Sequence, residues 1–155
     1  MEEGGGGVFS SLLVEALQDG AAGLLGDVTA ASIYAYIDGA MGAWDSRPLF
    51  KANVSRFVML RESAPRLPTS LVQKLVEYFP LPAERMQLTP AFEPEAEPHD
   101  AEKEGQFRNL QKFRDTGLLE YIKAQSLYHA AIESKTCGLT SLGKYYWRLV
   151  SNNKI

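Results

Sequence analysis

Between Phe9 and Gln18 the apolar residues Phe9, Leu12, Leu13, Ala16 and Leu17 return every third or fourth position. That spacing predicts an amphipathic helix, and Asp19–Gly20 would end it with a glycine suited to a left-handed cap. The next stretch, "DVTAASIYAYIDGAMGAW", places Ile33, Tyr36, Ile37, Ala40, Met41 and Trp44 on a second helical stripe, with Thr29 as N-cap and Gly39 and Gly42 weakening its end. After "SRP" the pattern changes. "NVSRFVMLRE" is short and rich in β-branched and aromatic residues, which predicts one strand over Val54–Arg61. Beyond Pro65 and Pro68 the helical period resumes in "TSLVQKLVEYF", with Leu71, Val72, Leu75, Val76 and Phe79 on one face.

Periodicity then fades. Pro80, Pro82, Pro90, Pro94 and Pro98 punctuate a stretch that also holds "FEPEAEP", too poor in apolar residues to offset its ordering entropy, so residues 80–100 read as a linker. From Ala101, "AEKEGQFRNLQKFRDTG" predicts a helix presenting Phe107, Leu110 and Phe113 and stopping at Gly117. "LLEYIKAQSLYHAAIESKTCGLT" reads as strands over Leu118–Ile122 and Leu127–Ser134, with a third segment at Cys137–Thr140. A last helix in "TSLGKYYWRLV", capped by Thr140 or Ser141, carries Leu142, Tyr145, Tyr146 and Leu149 as its apolar stripe. The sequence thus divides into 5–79, 80–100 and 101–155, an α+β chain overall.

Composition narrows the chemistry. The 155 residues are 45% apolar, enough for one ordinary core or two small ones, and no run of about 18 apolar residues occurs. The acidic, glycine-rich "MEEGGGG" is unlike a signal peptide, so a cytoplasmic location is expected. The net charge of −3 is uneven: residues 1–99 hold 7 Lys/Arg against 13 Asp/Glu, and residues 100–155 hold 9 against 6. An excess of +3 over the second stretch falls well short of the basic footprint of a dedicated nucleic-acid binder.

The single cysteine, Cys137, excludes a disulfide framework or a multi-thiolate zinc site, and His99 and His129 are the only histidines. Cys137 with His129 is the one conceivable nucleophile–base pair, but no glycine-rich oxyanion turn precedes the cysteine, and it reads as a small buried hydrophobe. His129 reads as a sheet residue and His99 as a solvated one. Glu93, Glu95 and Glu97 fall where nothing holds their geometry, and read as solvated charges. Tyr145, Tyr146 and Trp147 point in three directions on one helix, which disfavours a base-stacking platform. No catalytic residue, metal site or cofactor is expected.

The ordered pattern in "GGGGVFSSLLVEALQDGAAGLLGDVTAASIYAYIDGAM" is a glycine lead, a phenylalanine two residues on, an apolar helix, a "GAA" spacer, a "G-x-VT" cap and a second helix. It resembles the small-subunit half of bacterial caspase-like peptidases, and "RPLFKANVSRFVML" is similar to the last core strand of that fold. The resemblance covers residues 5–62. It implies a two-helix-plus-strand portion of a caspase-like α/β fold whose parent activity is cysteine endopeptidase proteolysis. In that family the catalytic histidine and cysteine lie upstream, so the chain would be a non-catalytic portion completing the core and substrate groove of an upstream catalytic half. Its partners would be that half or a second copy, with peptide substrate bound only by the complete enzyme, and no membrane. The glycine lead would leave a strand this chain does not possess; the plainer reading of Gly4–Gly7 is a frayed end.

The module over 101–155 resembles a winged helix, in which a helix leads into a hairpin and an "LT-x-x-G" turn opens the last helix, here "LTSLGKYYW". The alternative function is therefore a winged-helix DNA-binding or protein-docking adaptor. Arg108, Lys112, Arg114 and Lys123 would be its phosphate contacts, diluted by Glu102, Glu104 and Asp115, so that nucleic-acid binding is expected to be weak and unspecific.

Overall fold

The computed structural model describes residues 7–42, 48–55, 57–93, 100–122 and 124–155. The chain is mixed α+β with two small antiparallel sheets, divided into compact units Met1–Arg66 and Leu67–Ile155. Gly4–Gly6, Trp44, Arg56, Glu95, Glu97, His99 and Lys123 lie outside the described residues.

In the first unit, α1 (Val8–Glu15) runs into a π-helical turn over Ala16–Gly20, β1 (Asp27–Thr29) leads into α2 (Ala30–Ala40), and β2 (Met59–Glu62) pairs antiparallel with β1. Thr29 is the N-cap expected. Its Oγ1 accepts the Ser32 N–H and Ser32 Oγ accepts the Thr29 N–H, a reciprocal capping box. Gly20 is not the left-handed cap expected, because the chain widens into the π turn there. A Cβ on Gly20 would come within 2.7 Å of the outer edge of the Tyr36 ring, which would have to shift. The core is small, formed by Ala16, Ala21, Val28, Ile33 and Ile37. The expected strand over Val54–Arg61 is present only as β2, and β1 has no counterpart among the expected elements, since three residues show no period.

The second unit begins earlier than the sequence suggests. Helices α3 (Thr69–Gln73) and α4 (Leu75–Tyr78) pack against α7 (Ser141–Ser151), and the Trp147 indole Nε1–H donates to the Phe79 carbonyl at 2.6 Å. Residues 67–79 therefore belong with 101–155, not with the residues before them. The linker reading is also corrected for residues 80–93. They supply β3 (Arg85–Gln87), a 3₁₀ turn at Pro90–Phe92, and buried Leu88, Phe92 and Glu93. The prolines hide a strand, Arg85–Gln87, whose ladder partners Thr136–Gly138 lie about fifty residues on.

Helix α5 (Ala101–Asp115) buries Phe107, Leu110 and Phe113 as expected, with Asp100 as N-cap and Gly117 in the left-handed region at φ 77°. Then β4 (Leu119–Tyr121), α6 (Leu127–Ile132) and β5 (Thr136–Leu139) precede α7. The strand expected over Leu127–Ser134 is α6, a helix. Ser126 Oγ accepts the His129 N–H and so caps it, and Leu127, Ala130 and Ala131 recur at helical spacing and are all buried. The third segment is real, and β5 forms the centre of the sheet in the order β3–β5–β4, with Cys137 opposite Met86 and Tyr121. Thr140 caps α7 as expected, its Oγ1 accepting the Gly143 N–H. The buried face of α7 is different from the one expected: Gly143 and Val150 are buried, while Leu142 and Tyr145 are exposed. Gly143 sits so close to the neighbouring chain that a Cβ there would collide with the Leu118 carbonyl oxygen.

Candidate functional site

The conventional catalytic groups lie in the second unit and do not assemble. Cys137 is fully buried at the centre of the three-stranded sheet, and burial pushes its thiol from an ordinary 9.0 up to about 12, against a smaller lowering by the Arg85 guanidinium. A thiol held neutral is no nucleophile. His129 lies on α6, not in a sheet, where its Nδ1 is 2.8 Å from Ser126 Oγ as part of the helix cap. Among the described residues no group of three or more His, Cys, Asp or Glu side chains could hold a metal ion.

The phosphate-contact candidates are also dispersed. Arg108 and Lys112 are exposed one turn apart on α5, but Arg114 lies about 120° round the helix from Arg108 and donates Nε (2.9 Å) and Nη2 (2.6 Å) to Asp115 Oδ1. Lys123 is outside the described residues. The charge excess over 100–155 also disappears once the unit's true start is used. Residues 67–155 hold 11 Lys/Arg and 11 Asp/Glu. A polar cleft of about 510 Å³ between α4 and α5 is lined by Lys74, Glu77, Tyr78, Gly105 and Asn109, and two of these polar side chains already satisfy each other, Asn109 Nδ2 donating to Tyr78 Oη at 2.8 Å.

The first unit carries a surface of another kind. Met59, Leu60, Arg61 and Glu62 of β2 are all exposed, Leu60 at 58%, and Val58 before them is exposed at 74%. One edge of β2 is bonded to β1, and no other strand among the described residues pairs with it. Polar side chains next to this strand fix it to the helices. The Arg61 guanidinium donates to the Leu17 carbonyl and, at 2.8 Å, to the Gln18 carbonyl, satisfying oxygens that the π turn leaves open, and Ser63 Oγ donates to Asp19. Leu60 then lines an apolar groove of about 310 Å³ with Leu13, Ile33, Ile37, Leu49 and Phe50. The ring of Phe50 stacks on Tyr34 at 5.0 Å and on Phe57 at 6.2 Å, so an aromatic row continues the groove.

Phe57, Val58, Met59 and Leu60 form an unbroken apolar run. Alternation would be expected of a strand with one wet face; a continuous run is the pattern of a strand covered on both faces within a larger sheet. No family model matches the chain, and no curated protein or solved structure matches it. No helix among the described residues is long and apolar enough to cross a membrane.

Proposed function

We propose that residues 7–66 are the small-subunit-like portion of a bacterial caspase-like cysteine endopeptidase, non-catalytic in themselves, which complete the core and substrate groove of a catalytic half carrying the histidine and cysteine. The observation that carries this reading is β2: a strand entered through the apolar run Phe57–Leu60, with one bonded edge, exposed side chains and a helix-backed groove beside it. Such an edge accepts a further strand, and its apolar run fits the interior of an α/β sheet better than a surface. The glycine lead into α1, the Thr29 cap and the two apolar helices are the features on which the caspase-like resemblance rests. The second unit is read as a winged-helix-like docking module in which α6 interrupts the β4–β5 hairpin; its zero formal charge favours a protein partner over DNA.

The test is complementation. The chain alone should hydrolyse no fluorogenic peptide. Co-expressed with a caspase-like catalytic half encoded immediately before it, it should restore hydrolysis, and Leu60→Glu should abolish that restoration by burying a charge in the new sheet. Turnover by the chain alone that disappears in Cys137→Ala would overturn the reading, as would restoration unaffected by Leu60→Glu.

A further inference from the structure

Helix α7 is apolar over much more of its circumference than its packing uses. At about 100° per residue, Gly143, Trp147 and Val150 fall within about 60° of arc and face the unit's interior, towards α3, α4 and β5. Leu142, Tyr145 and Leu149 form a second stripe about 100° or more away, and Tyr146 closes the gap between the two faces. The apolar arc spans about 200°, whereas a surface helix packed on one side needs about 100°. Leu142 is 45% exposed and Tyr145 52%, while Leu149 is half-buried, and the Tyr145 ring stands edge-on to that of Tyr146 at 5.2 Å.

One border of this stripe is basic. Beyond Tyr145, Arg148 lies about 60° and Lys144 about 100° round the helix, one turn apart, and the Arg148 Nε–H donates to the Lys144 carbonyl at 3.2 Å. Elsewhere in the unit Arg85, Lys103, Arg114 and Lys135 each lie against a carboxylate. Lys144 and Arg148, like Arg108 and Lys112 on α5, have no carboxylate within 4.0 Å among the described residues, but they alone border an exposed apolar stripe on their own helix. An apolar helix stripe edged by such cations is complementary to an apolar stripe edged by carboxylates.

We infer that the outer face of α7, built on Leu142, Tyr145 and Leu149 with Lys144 and Arg148 at its rim, is a docking surface for an acidic amphipathic helix of a partner protein. The leucines and the tyrosine ring supply the buried contact and the two cations select the partner's sign. An anionic membrane is the poorer fit, because two cations on a chain of net charge −3 give little attraction to such a surface. A second copy is also poorer, since antiparallel pairing of two α7 helices would bring like charges together.

The probe is a labelled amphipathic peptide of about 16 residues, long enough for four helical turns, with leucines at helical spacing and glutamates on both flanks. It is titrated into the full chain by fluorescence anisotropy, and the control has the same leucines with lysine flanks. The glutamate peptide should bind at least about tenfold more tightly at about 0.05 M salt, and the preference should shrink at about 0.5 M as the charges are screened. Tyr145→Ala should lose the binding, and Lys144→Glu with Arg148→Glu should reverse the preference while the circular dichroism spectrum is unchanged. Equal affinity for the two peptides, or binding to neither, overturns the inference. So does tighter, Tyr145-dependent binding to vesicles of phosphatidylcholine and phosphatidylserine, or self-association lost in Tyr145→Ala.

Discussion

The strands β2 and β5 are the same length, four residues, and have opposite fates. In β5, Cys137, Gly138 and Leu139 are buried and both edges are bonded, whereas every residue of β2 is exposed and one edge is bonded. Apolar content does not separate them, for "MLRE" follows "FV" while "TCGL" has only one large apolar member, Leu139. What separates them is the neighbours that the described residues place beside each strand. The second unit brings β3 and β4 to the two sides of β5, Met86 and Tyr121 both lying opposite Cys137. Among the described residues the first unit pairs β2 with β1 alone.

The widest gap between the units should appear when an aromatic ring is deleted from each. Phe113 is fully buried, and Phe113→Ala should cost about 3–5 kcal/mol by lost transfer energy and the cavity left behind. Phe57 is 42% exposed, and in the isolated chain Phe57→Ala should stay within about 0.5 kcal/mol. Urea unfolding followed by Trp147 fluorescence in a Trp44→Phe background reads the second unit, and amide exchange over residues 8–40 reads the first. A comparable loss at Phe57 would mean that the first unit has cover of its own, and would remove the ground for a missing sheet.

Gly143 tests closure of the second unit more gently. Its close approach to the Leu118 carbonyl leaves no room for a methyl group, so Gly143→Ala must push α7 from β4 at a cost of about 1–3 kcal/mol, despite alanine's better helix propensity. A neutral or stabilising result would show that the helix has slack there.

Cys137 sharpens the same contrast through pH. Its thiol is raised from 9.0 to about 12 by burial, so the folded state favours the neutral form. The contribution of that preference is intact below pH 9 and is lost as pH rises from 9 towards 12, because the unfolded chain ionises first. Thiol reagent at about pH 8 should therefore label the native chain only at the rate of unfolding, and denaturant should make labelling immediate. Rapid labelling of the native chain would place the thiol outside the sheet.

What can be read from the sequence follows the range of the interactions. Caps and stripes are legible where the partners are close in sequence: Thr29 with Ser32, Thr140 with Gly143, and Phe107, Leu110 and Phe113 on α5. The chain's long-range pairings are not. Arg85–Gln87 looks like linker until Thr136–Gly138 lies beside it, and the helix over Leu127–Ile132 looks like a strand until the Ser126 cap is weighed against its β-rich neighbours. The apolar stripe legible on α7 is a true stripe but the outer one, because the inner face rests on Gly143, which has no side chain to mark it, beside Trp147 and Val150. For the candidate site, the burial of Cys137 is legible from its isolation; the surface at β2 is legible only as a strand, since exposure depends on the neighbours a strand lacks.

The smallest effect expected is a pair of gains. Gly39 in α2 and Gly105 in α5 are helical glycines around which a Cβ would meet nothing within 4 Å. Alanine at either position removes backbone freedom from the unfolded chain without a clash, a gain of about 0.5–1 kcal/mol each. The two gains should not be equally visible. Gly105→Ala should raise the midpoint of the cooperative transition read by Trp147, because α5 is fixed by Phe107, Leu110 and Phe113. Gly39→Ala should leave that transition unmoved and should appear only as slower amide exchange in α2, since the first unit has its own small core around five buried residues and is expected to unfold apart from the second. If both substitutions moved a single transition by the same amount, the units would be folding as one, and the difference between β2 and β5 would have to be sought in local packing and not in a missing partner.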